Sequence, residues 1–233
     1  MKSEKKILSK EVISWAFYDW ANSAFATTVI AGFFPILFKS FCANNLSDSE
    51  STALLGVANS LSGFFILIFA PFLGALADIT FRKKYMLVFF MLIGAGSTAS
   101  FFFINEGYWM IAVITYILAS IGFSGGNIFY DSLIIDVSND QSRNKVSAFG
   151  YAMGYLGGGI LFVVNVLMYL QPNTFGLTSQ IDAVLFSFLS VAIWWSVFTL
   201  PLIRFVKESK GEITSLSLIS TLKNSFFRVI NLS

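Results

Sequence analysis

Histidine is absent from the 233-residue chain, and cysteine occurs once, as Cys42. Without histidine the usual proton carrier near neutral pH is missing, so proton chemistry falls to carboxylates. A single cysteine excludes an intrachain disulfide and a thiolate metal cluster. Charged residues make up only 12% of the chain, roughly half of the ~25% found in soluble domains, too few to cover a water-facing surface. A net charge of +2 gives no electrostatic footprint for nucleic acid. No nucleotide-binding glycine loop is present, which argues against an ATP-driven pump. With no His, Cys pair or carboxylate cluster to build a metal or nucleophile site, no catalytic residue, metal or cofactor is expected and an enzyme is disfavoured.

What the chain does have is apolar length. Hydrophobic residues make up 56% of it, and 27 are phenylalanine. Runs near 13–41, 52–77, 85–104, 108–135, 146–169 and 182–206 each reach the roughly 20 residues needed to cross a hydrocarbon core. The expected fold class is an all-α membrane protein of six transmembrane helices. The first run is too long for a signal peptide and no small-residue cleavage site follows it. The expected organisation is a cytoplasmic N-terminus at 1–12, a six-helix bundle at 13–206 and a cytoplasmic linker at 207–233. Threaded this way, only Lys39 of the 15 basic residues lies outside, so the positive-inside rule puts both termini in the cytoplasm. The expected location is the inner membrane of a bacterium.

Past Val206 the composition turns polar, with Leu216, Ile219, Leu222, Phe226 and Ile230 at helical spacing. That pattern suits an interfacial amphipathic helix, or a solvated tail with accidental periodicity. Within the bundle, Gly150, Gly154 and Gly158 fall on one helix face where a second backbone can approach, and Gly157 and Gly159 would widen that surface. Gly122, Gly125 and Gly126 do the same on the fourth run, while Pro35, Pro71 and Pro201 predict kinks. Such helices suit a bundle that moves and equally one that is tightly packed. Asn59 and Asn165 are expected to bond across helix interfaces, and Trp194 and Trp195 to serve packing.

Three blocks carry a resemblance. G-A-L-A-D-I-T-F-R-K-K, residues 74–84, reads on its own as a helix end followed by basic residues able to meet acids or lipid phosphate. Its spacing resembles the signature loop between the second and third helices of the major facilitator superfamily, with Ile79 and Phe81 as departures. W-A-F-Y-D-W-A-N-S-A-F-A-T-T-V-I-A-G-F-F-P, residues 15–35, is similar to the first helix of the vacuole-effluxer-like branch of that superfamily. F-Y-D-S-L-I-I-D-V and R-N-K-V-S-A-F-G-Y-A-M-G-Y-L-G-G-G, between residues 129 and 159, resemble its fourth and fifth helices, with Asp131 and Ile135 departing from the pattern.

The resemblance implies a secondary transporter of twelve spans in two halves, with the substrate between them. This chain supplies the amino-terminal half, so a carboxy-terminal six-helix half, as a separate chain or a second copy, is the implied partner alongside membrane lipids. Gly74, Asp78, Arg82 and Lys83 are then the implied conformational latch. Asp19, Asn22, Asn127 and Asp131, with the hydroxyls of Tyr18 and Tyr130, are the implied substrate or coupling residues. The implied solute is an amino acid or similarly small polar metabolite. A carboxylate inside a membrane costs roughly 2.5–3.5 kcal/mol on insertion scales, so Asp19 needs a partner or a cavity. It exchanges protons as the cavity alternates, or is a fixed partner of Arg143 or Lys145, or bonds backbone amides beside Trp20 without meeting substrate. The other functional reading is a degenerate half-transporter kept as a non-transporting assembly partner.

Overall fold

Ser9 starts the first helix. Its hydroxyl accepts the Val12 N–H at 3.2 Å, and Glu11 in the first turn complements the positive helix end. The computed structural model describes residues 8–80 and 82–208. The expected amphipathic helix beyond Val206, with Leu216 to Ile230, lies outside the described residues, as does the side chain of Asp78.

Among the described residues, six helices are long and apolar enough to cross a membrane: α1 (Lys10–Cys42), α2 (Asp48–Ala77), α3 (Lys83–Phe103), α4 (Trp109–Val137), α5 (Arg143–Leu170) and α6 (Gln180–Phe205). The architecture among the described residues is all-α. α1 is not uniform. It is α-helical over Lys10–Ala24 and π-helical over Phe25–Phe33 and Phe38–Cys42, so that the Phe34 N–H reaches back to the Val29 carbonyl. Pro35 sits between the two wide segments and lacks the N–H an α-helix would use there. Pro71 and Pro201 lie inside continuous helices.

The turns are tight. Gly107, at φ +82°, closes the α3–α4 hairpin and donates its N–H to the Phe41 carbonyl at 3.0 Å, tying the hairpin to the end of α1. Ser179 caps α6 by accepting the Asp182 N–H at 3.0 Å. The Lys10 ammonium lies 3.6 Å over the Phe205 ring, which joins the start of α1 to the end of α6.

α1 is the hub: it packs against α5 and α6, while α3 packs on α4 and α6, and α2 lies along α4. Burial follows this order, with 44% of the most apolar window of α1 enclosed and only 17% of that of α2. Phe64, Leu67 and Phe69 of α2 therefore face outward, as an apolar helix in lipid permits.

Small residues set the helix spacing. On α5, Gly154 lies against Ser23 and Asp19, and Gly158 lies against the Ser23 backbone, with the Thr27 hydroxyl donating to the Gly158 carbonyl at 3.2 Å. Gly157 abuts Trp20, but Gly159 faces open space and does not belong to that surface. Gly122 of α4 meets Gly94 of α3 backbone to backbone. Polar groups join the helices as well. The Tyr116 hydroxyl donates to Asn59 at 2.6 Å between α4 and α2, and the Ser190 hydroxyl donates to Asn165 at 3.0 Å between α6 and α5. Trp194 donates its indole N–H to the Trp20 carbonyl at 3.2 Å and stacks on the Trp20 ring, so it packs α6 on α1.

Candidate functional site

α1, α4 and α5 frame a half-open cavity of about 110 Å³ with a mixed polar and apolar lining. α1 contributes Trp15 and Asp19, α4 contributes Asn127, Tyr130, Asp131 and Ile134, and α5 contributes Ser147 and Tyr151. Asp19 lies roughly 14 Å along α1 from Lys10 at 1.5 Å per residue, well inside the span.

One wall is an aromatic stack. The Trp15 and Tyr130 rings lie 4.3 Å apart at 10°, and the Trp15 indole N–H donates to the Tyr130 carbonyl at 3.0 Å. Gly150 makes the stack possible, because a Cβ there would sit 2.7 Å from both the Trp15 ring and the Tyr130 hydroxyl. The Tyr130 hydroxyl is buried and has no hydrogen-bond partner among the described residues.

The other wall is acidic. Asp19 Oδ1 accepts the Ser23 hydroxyl at 2.9 Å, one helical turn on. Gly154 leaves room for that pair, since its Cβ would lie 2.7 Å from Ser23 Oγ and 2.8 Å from the Asp19 carboxyl. Of the two alternative partners for Asp19, Arg143 pairs instead with Asp140 at 2.6 Å, and Lys145 is exposed. Asp131 projects from the exposed side of α4.

Asp19, Asn127, Tyr130 and Asp131 thus converge on one cavity. Asn22 and Tyr18 stand behind it. Asn22 is buried and donates its amide to the Asn127 side-chain oxygen, which fixes Asn127 across the α1–α4 interface. Tyr18 is fully buried, its ring 5.2 Å from Tyr130 and its hydroxyl against Gly126. Trp15, Ile134, Ser147 and Tyr151 were not singled out from sequence. A signal for one of them exists: Ser147, three residues before Gly150, continues the Gly150–Gly154–Gly158 face toward the start of α5.

Residues 74–80, where the helix of α2 continues to Thr80, and 82–84, at the start of α3, lie apart from the cavity. Lys83 is buried within this bundle, 3.0 Å from Asp136 and 3.1 Å from the Ser132 carbonyl at the end of α4. Arg82 is exposed. A Cβ on Gly74 would meet nothing within 4 Å, so no described helix packs closely there. Asp136, the acid that receives Lys83, carries no sequence pattern beyond a polar residue at a helix end.

A model of the family described as vacuole effluxer Atg22 like matches residues 45–140 and 135–232. The chain belongs to that family. Among curated relatives, an uncharacterized MFS-type transporter YxiO of Bacillus subtilis is 37% identical over 205 residues, covering 87% of this chain and 48% of the other. Autophagy-related protein 22 of Eremothecium gossypii is 21% identical over 240 residues, covering 84% and 46%. The chain therefore spans about half the length of the curated relatives it matches. The fold is shared with the inward-open xylose transporter XylE of E. coli, at a TM-score of 0.57 and 20% identity, covering 92% of this chain and 51% of that one. Family membership and the six apolar helices together make this an integral, multi-pass membrane protein with the six-helix bundle of a major-facilitator fold.

Proposed function

We propose that the chain is the amino-terminal six-helix half of a secondary active transporter that moves a small polar solute by alternating access. The observation that carries this reading is the cavity itself: Asp19, Asn127 and Asp131 gathered between membrane-spanning helices that otherwise present apolar side chains. Intramembrane carboxylates are costly enough that a solute or ion pathway is the default account of them. Relatives named as an MFS-type transporter and as vacuole effluxers support the same class. Amino acids are the proposed solutes, and Asp19 with Asp131 the proposed proton-exchanging pair.

In this reading residues 13–206 form the transporting bundle, 207–233 form the linker, and both ends are cytoplasmic in a bacterial inner membrane. A second six-helix half, from the same protein, a separate chain or a second copy, completes the cavity. Gly74, Asp78 and Arg82 face that second half as the conformational latch, and Lys83 anchors their loop to α4. Gly150, Gly154 and Gly158 let α5 lie close enough to α1 to shape the cavity wall.

The test is gradient-driven flux in membrane vesicles containing the assembled protein, comparing the parent with Asp19→Asn. Flux driven by a proton gradient in the parent and abolished or uncoupled in Asp19→Asn is expected. Parent-like flux with the same pH response in the variant would remove Asp19 from the mechanism.

A further inference from the structure

A second opening, of about 360 Å³, runs between α3 and α6 and is lined by those two helices alone. Ala95 and Ala192, both buried, form its floor, and Leu92, Ile193 and Val197 stand exposed at its rims. Gly96 keeps it open, because a Cβ there would meet nothing within 4 Å. The Ser196 hydroxyl is spent on the Ala192 carbonyl at 2.8 Å, so the lining asks no hydrogen bond of an occupant. No charged residue lines it. The groove takes hydrocarbon.

Its face of α6 ends in positive charge. Val197, Leu200 and Arg204 follow one another at three and four positions, and Lys207 comes three further on, just past the helix end. Arg204 and Lys207 are exposed, and neither has an ion pair or hydrogen bond among the described residues. A helix carboxy-terminus ordinarily repels an anion. Here Lys84 of α3 offsets it: its ammonium donates to the Val206 carbonyl at 2.8 Å and to the Ile203 carbonyl at 3.4 Å, and its backbone N–H donates to the Glu208 carboxylate. With Lys84 and Glu208 balancing each other, Arg204 and Lys207 remain uncompensated. At 1.5 Å per residue the groove lies from roughly 10 Å to roughly 22 Å beyond Arg204. One leaflet of the hydrocarbon core is roughly 15 Å deep, so an acyl chain whose headgroup sits at Arg204 ends inside the groove.

We infer that the α3–α6 groove holds an anionic phospholipid, its phosphate on Arg204 and Lys207 and the outer part of one acyl chain laid across Gly96 and Ala192. Charge complementarity selects this occupant. A lipid of no net charge fills the groove and leaves the two cations unmet. A second copy of the chain, inserted in the same orientation, brings its own Arg204 and Lys207 up to this pair, and like charges oppose that contact. The site is separate from the cavity between α1, α4 and α5, and it stands whether or not the chain carries a solute.

The test is native mass spectrometry of the full chain in detergent, with dioleoylphosphatidylglycerol and dioleoylphosphatidylcholine supplied at equal concentration. Retention of phosphatidylglycerol at least fivefold above phosphatidylcholine is expected. Arg204→Gln/Lys207→Gln, which alters only exposed side chains, is expected to bring the two lipids level. Gly96→Leu fills the groove without meeting another atom and is expected to cut phosphatidylglycerol retention at least threefold. Gly159→Leu makes the same change in open space on α5 and is expected to match the parent. Equal retention of both lipids by the parent overturns the inference, and so does a preference that survives in both the charge variant and Gly96→Leu. Loss in the charge variant with parent-like retention in Gly96→Leu reduces the site to surface charge and overturns the groove. A lipid-free dimer that Gly96→Leu disperses assigns the groove to a second copy and overturns the inference as well.

Discussion

The Lys83 ammonium lies 3.0 Å from the Asp136 carboxylate, with both side chains withdrawn from solvent, at the point where the first residue of α3 meets the last turn of α4. This pair holds the α2–α3 connection against the bundle. Removing the acid leaves a buried ammonium with only the Ser132 carbonyl to meet it among the described residues. Asp136→Leu is therefore expected to destabilise the bundle by about 3–5 kcal/mol, and Lys83→Met/Asp136→Leu to recover the part of that loss that comes from the unpaired ammonium. Reversible unfolding of the parent, the single and the double variants measures both values.

The contact between α5 and α1 at Gly154 makes a second expectation. A methyl there would sit 2.7 Å from Ser23 Oγ and 2.8 Å from the Asp19 carboxyl, so the helices have to separate. Gly154→Ala should lower stability by about 1–3 kcal/mol. Gly159→Ala, whose added methyl meets nothing within 4 Å, should stay within about 0.5 kcal/mol of the parent. Equal effects at the two positions would contradict the packing described for α5.

α2 is held to α4 in part by the Tyr116 hydroxyl, which donates to Asn59 at 2.6 Å. Interhelical bonds of this kind contribute about 0.6 kcal/mol in membranes. Tyr116→Phe should cost that much and leave the other interfaces unchanged, whereas Asn59→Leu should cost a similar amount and not add to it. A double-mutant cycle provides the check.

Orientation is open to direct labelling because Cys42 is buried and unreactive toward bulky reagents. Lys39→Cys and Lys145→Cys each place a thiol at an exposed position, at opposite ends of the bundle. A membrane-impermeant maleimide should label the first from outside the cell and the second only from the cytoplasmic side. The reverse pattern would invert the assigned topology.

Much of this was legible in the sequence, and the reasons differ by residue. The run at 13–41 became the helix Lys10–Cys42 because apolar length is the strongest signal a membrane segment carries. Gly154 was legible because four-residue spacing keeps side chains on one face, and Gly159 misled because the fifth position rotates off it. The π-helical turns around Pro35 left no pattern, since hydropathy does not report hydrogen-bond phase. Asp136 and Trp15 were hidden for another reason: each acquires its meaning from a partner more than fifty residues away, Lys83 in one case and Tyr130 in the other. Asn22 and Tyr18 are cavity residues by the resemblance, but Asn22 bonds Asn127 and Tyr18 packs on Tyr130, behind the residues that line the cavity.

Because the Lys10 ammonium rests 3.6 Å above the Phe205 ring, the two ends of the bundle are spatial neighbours. A chain cut in the loop at 171–179 and rejoined by a short polar bridge from residue 208 to residue 8 would therefore contain the same helices in a new order. Such a circular permutant should insert and fold, with its new ends on the opposite membrane face.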